Sequence, residues 1–112
     1  MTSWKPISEE EFSELFKSQY AQLDAQARRL IEPYLRPFWR ASIKRSEEMG
    51  DEHVFVVAQK QNGILYYDDV EDGFNISTVD ENGRILTPGG SQATLEEAIL
   101  LWFPKVDSPV GG

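Results

Sequence analysis

The densest set of chemically capable side chains in this sequence is Tyr66-Tyr67-Asp68-Asp69-Val70-Glu71-Asp72-Gly73. Its four clustered carboxylates could ligate calcium or magnesium, which take oxygen donors. The calcium loop of a helix–loop–helix hand wants acids at alternate positions before its glycine. Val70 fills one of those slots, and no bidentate glutamate follows at the required distance. A hairpin turn is the simpler reading, with Asp72 and Gly73 supplying turn geometry. A turn needs only one or two such residues, yet no lysine or arginine lies between 61 and 83. Excess negative charge beside two aromatic rings has the composition of a protein-binding surface. There, aromatic anchors carry energy and acids select the partner. Tyr66, Tyr67, Asp68, Asp69, Glu71 and Asp72 are therefore the candidate partner-binding residues. Tyr66 and Tyr67 must point to opposite sheet faces, so one of them is expected to be exposed.

Other constellations are weaker. His53 is the only histidine, beside Asp51 and Glu52. It could act as a general base oriented by a carboxylate. Its nucleophile would have to be Ser42, Ser77 or Thr78, and none has the glycine pattern of a nucleophile elbow. Pro88-Gly89-Gly90-Ser91 lacks the lysine and the glycine spacing of a phosphate-binding loop. Two acids flanking a sugar substrate are a further option, but sequence proximity does not place a carboxylate pair. Cysteine is absent, which removes disulfides, thiolate catalysis and thiolate zinc sites. The expected protein is non-catalytic and binds no cofactor or metal.

The charge distribution supports an interaction role. The formal net charge is −8. Arg28, Arg29, Arg36, Arg40, Lys44 and Arg45 form a basic block broken only by Glu32. Residues 46–83 then hold acids against the single cation Lys60. Such a field steers a cationic partner and disfavours nucleic acid, which needs clustered Lys and Arg. The expected partner is a basic protein, and self-association is compatible with the pattern. Small, acidic, cysteine-free and without a catalytic motif, the chain resembles bacterial immunity proteins and antitoxins in bulk character alone. A small carboxylate-based or divalent-metal-binding enzyme is one alternative. A scaffold or regulatory subunit, exposing the wide apolar face of the last helix, is the other.

The elements that must position these residues are legible from their punctuation. At 112 residues the chain is one domain long. It should comprise a domain over residues 1–104 and a flexible tail over 105–112. No stretch has the length and apolarity of a membrane span, and the N-terminus lacks a secretion-signal pattern. A cytoplasmic setting is expected. Ser8 with Glu11 forms a capping box, and Ile7 with Phe12 a hydrophobic staple, opening a helix over about 9–22. Asp24 caps a second helix over about 25–34, or a kinked continuation of the first, limited by Pro33 and Pro37.

After Pro37 the period becomes two. Trp39, Ala41 and Ile43 alternate with Arg40, Ser42 and Lys44. Val54–Gln59, Ile64–Asp68 and Phe74–Val79 read as further strands, with Arg84–Leu86 a short fifth. Asn62-Gly63 suggests a two-residue hairpin turn. That turn would set Gln59 opposite Tyr66, Ala58 opposite Tyr67 and Val57 opposite Asp68. Thr94 and Glu97 open a last helix, which Pro104 should stop. The expected class is α+β: two N-terminal helices, an antiparallel four- to five-stranded meander, and a C-terminal helix on one face. Phe12, Leu15, Phe16, Leu95, Ile99 and Trp102 should meet in one core against Trp39, Ile43 and one face of the second strand.

Overall fold

The computed structural model of the chain describes residues 7–46, 50–68, 72–85 and 92–106. Helix α1 spans Glu9–Ala21 and α2 spans Ala25–Ile31, followed by a 3₁₀ turn at Glu32–Tyr34. Strands β1 (Leu35–Ser46), β2 (Gly50–Lys60), β3 (Gly63–Asp68) and β4 (Gly73–Thr78) precede helix α3 (Leu95–Val106). The strands form one antiparallel sheet in the order β1-β2-β3-β4. This is the α+β meander that the punctuation implies.

The helix starts follow their caps. Ser8 Oγ accepts from the Glu11 backbone N–H at 3.1 Å, while the Glu11 carboxylate accepts from the Ser8 N–H at 3.1 Å. Asp24 Oδ1 accepts from Ala27 N–H at 2.8 Å and opens α2 as a helix separate from α1. Thr94 and Glu97 cap α3 reciprocally, at 3.2 and 2.9 Å. Gln19 Oε1 adds a bond from the Leu95 N–H at 2.8 Å, tying α1 to the start of α3.

Helix α2 ends before Pro33 and Pro37 as expected, but Pro37 and Pro104 each lie inside an element. Strand β1 begins before Pro37, where its pairing with β2 shifts register between Leu35 and Trp39. An edge strand tolerates proline at such an irregularity, because the missing N–H breaks no regular ladder bond. Helix α3 continues through Pro104 to Val106. The stop expected at Pro104 is therefore passed by two residues. Residues 107–112 lie outside the described residues.

The β2–β3 turn also differs from expectation. Lys60 pairs with Gly63 and Gln59 with Ile64, so Gln61 and Asn62 make the turn. Gln61 takes the positive φ of 56°. Ala58 therefore faces Leu65, not Tyr67. Beyond it a bulge at Val57 brings Val56 opposite Tyr66 and Phe55 opposite Tyr67. The extra residue makes Val57 and Ala58 face the same way, and both join the helix-side core.

That core is aromatic. Arg40, Phe55, Tyr67 and Phe74 are successive cross-strand partners in a row over all four strands. Phe12 lies on this row, stacked at 4.8 Å on Phe55 and tilted at 5.3 Å against Tyr67. Leu95, Ala98, Ile99, Trp102 and Phe103 from α3 complete it. The expectation that Trp39 and Ile43 belong here is wrong. They lie on the opposite face with Ala41, Val54, Val56, Ile64, Tyr66, Val79 and Ile85. Strand β1 instead meets the helices through Leu35 and Phe38.

The second face is closed by a turn. After β4, Val79 N–H bonds Asn62 O at 2.9 Å and Val79 pairs with Ile85. Ile85 N–H then reaches Ser42 O at 2.9 Å, and Ser42 N–H reaches Gly83 O at 3.1 Å. The segment thereby links the sheet's two edge strands. Asp80 Oδ1 shapes it by accepting from the Asn82 and Arg84 N–H groups at 2.9 and 3.0 Å. Gly83 has φ +76°, and a Cβ there would sit 3.2 Å from Trp39 Cζ3. The expected fifth strand is reduced to bridges at Arg84 and Ile85, and Leu86 lies outside the described residues.

Candidate functional site

The β3–β4 turn is placed by the aromatic row. Tyr67 and Phe74 are the last helix-side pair before it, and Asp68 and Gly73 pair at its base. Asp72 stands exposed in the turn with φ 55°. The Tyr67 hydroxyl donates to Asp72 Oδ1 at 2.6 Å, locking the turn to the core beneath. This short bond to a carboxylate is of the charge-assisted kind.

The six residues singled out by sequence do not share one surface. Tyr66 is fully buried on the face opposite the helices, and Tyr67 is buried against α1. The two tyrosines do point to opposite faces, but neither is exposed as expected. The face beyond the helices is closed by the Val79–Ile85 turn, so a ring there does not reach solvent. Asp68 is buried too, at 0 % exposure. Asp72 remains accessible. Asp69 and Glu71 lie outside the described residues.

The structure adds carboxylates outside the six residues singled out by sequence. Phe12 packs on the row next to the turn, which seats α1 on the helix-bearing face. Glu9, Glu10, Glu11 and Glu14 are exposed there. An open groove of about 430 Å³ runs beside them, lined by Glu9, Glu10, Ser13, Glu14, Lys17 and Phe38. Phe38 is half-buried, its ring 4.9 Å from Phe12 and 5.3 Å from Phe16. The signal available in the sequence was the surplus of acids over Lys5 and Lys17 before residue 28.

Glu11 differs from its neighbours. The Ser8 backbone N–H, then the Ser8 side chain, hold its carboxyl below the ordinary range against a smaller opposing effect of desolvation. It serves the helix cap, whereas Glu9, Glu10 and Glu14 face the groove or solvent. Among the described residues no three His, Cys, Asp or Glu side chains gather as a metal site.

Basic residues share this side: Lys17 lines the groove itself. Arg28 sits 5.4 Å from the Tyr20 ring centre, Arg40 5.0 Å from that of Phe55, and Lys60 Nζ 5.4 Å from that of Tyr34. Arg29 and Arg36 are exposed. Arg28, Arg40 and Lys60 thus cover aromatic rings of the helix-bearing side.

His53 is exposed, directly across from Ser42 in the β1–β2 register. No hydrogen bond joins the two side chains among the described residues, and Ser42's backbone is engaged by the closing turn. Ser77 and Thr78 lie on β4, two strands away from His53. No described helix is long and apolar enough to cross a membrane. The sequence matches no protein-family model, and comparison with curated proteins and with solved structures gives no match.

Proposed function

We propose that this domain is a non-catalytic binding protein for a basic partner, engaged by the carboxylates of α1 and of the β3–β4 turn. The observation that carries this reading is the packing of Phe12 on Tyr67. It sets α1, with its exposed glutamates, on the same face of the sheet as Tyr67, whose hydroxyl holds Asp72. Carboxylates there act at short range on a partner's Lys and Arg and at longer range on its approach. The groove beside Glu10 and Glu14 offers the half-exposed Phe38 as an apolar contact within the charged surround. A small acidic protein of the immunity or antitoxin kind would mask a basic surface in this way. The reading assigns no catalytic role to His53.

The test is affinity capture with the intact chain at low salt, followed by association kinetics with each captured basic protein at two ionic strengths. Neutralising Glu10 and Glu14 to Gln should slow association and flatten its salt dependence. The pair Asp69→Asn with Glu71→Gln should do the same. Combining both pairs should slow it further, as expected of one interface. Association rates unchanged in all three variants, or a complex indifferent to salt, would reject the reading.

A further inference from the structure

We draw no further inference here: the strongest candidate, the exposed Leu100–Leu101 pair on the outer side of α3, carries nothing because nothing in the structure shows what covers it.

Discussion

On the helix-bearing face, Phe12, Phe55, Tyr67, Phe74, Trp102 and Phe103 make an aromatic core that three helices cover. On the other face, Ala41, Ile43, Val54, Val56, Ile64, Val79 and Ile85 surround the single ring of Tyr66. Trp39 packs at its margin. No described helix contributes to this second cluster. Its closure depends on backbone bonds from Gly83 and Ile85 to Ser42, and on a glycine small enough to meet Trp39. One face is thus sealed by side chains arriving on amphipathic helices, the other by a turn that ties the sheet's edges together. The first depends on ring volume and the second on one residue's backbone conformation, so different substitutions should damage them.

The largest effect is expected from Phe12→Ala. Phe12 is fully buried and touches four other rings besides its helical neighbour Phe16. Removing a buried phenyl group costs about 3–5 kcal/mol, because a cavity remains after the transfer energy is lost. Trp102→Ala should cost about as much, for the same reason. Equilibrium denaturation in urea measures both. A loss below about 1 kcal/mol for either would show that the ring is not part of a packed core.

Gly83→Ala probes the second face. An L-residue in the left-handed region costs roughly 1–2 kcal/mol, and the added methyl also presses on the Trp39 ring. A double-mutant cycle with Trp39→Leu separates these causes. The steric part should disappear in the Trp39→Leu background while the conformational part persists. Equal costs in both backgrounds would mean that contact with Trp39 contributes nothing. A cost near zero would mean that the turn does not hold the sheet closed.

The contrast between the faces also explains what the sequence could tell. Both long helices announced themselves, since Ser8 with Glu11 and Thr94 with Glu97 are local signals with local causes. The meander was legible from alternation and turn residues. What failed was the choice of face. Trp39, Ala41 and Ile43 share a stripe, but a stripe does not say which side of the sheet the helices take. The β2–β3 register slipped because Asn62-Gly63 is a strong turn signal, yet here Gln61 takes the positive φ. The bulge at Val57 has no local marker in an apolar run. The acidic residues were half visible. Those between β3 and β4 are contiguous in sequence, whereas the groove of Glu9, Glu10 and Glu14 with Phe38 exists only through tertiary packing. Tyr66 was misjudged because no stripe foretold that a turn would close the second face.

Tyr67→Phe sharpens the comparison where the aromatic core meets the acidic turn. It keeps the ring among Phe12, Phe55 and Phe74 while deleting the bond to Asp72. The expected cost is about 1–2 kcal/mol, in the range for a hydrogen bond to a charged group near the surface. Amide hydrogen exchange should quicken around Asp72 and Gly73 more than in β2. Uniform quickening throughout the sheet would place the hydroxyl's role in the global core instead.

The smallest effect concerns the cap that directs α1 onto the aromatic face. Ser8→Ala removes the hydroxyl that accepts from Glu11 N–H, at a cost of about 1 kcal/mol near neutrality. The reciprocal bond makes the cap pH-dependent. Because Glu11 is held below its ordinary pKa in the fold, the folded state favours its charged form. That contribution is fully present above the unfolded pKa and fades as pH falls through the depressed folded value. Glu11→Gln should retain an acceptor for the Ser8 N–H, as capping boxes allow, but it cannot titrate. Thermal melts should therefore show the native chain losing its advantage over Glu11→Gln on acidification. If both proteins lose stability in parallel across that window, acid sensitivity arises elsewhere and the α1 cap makes no pH-dependent contribution.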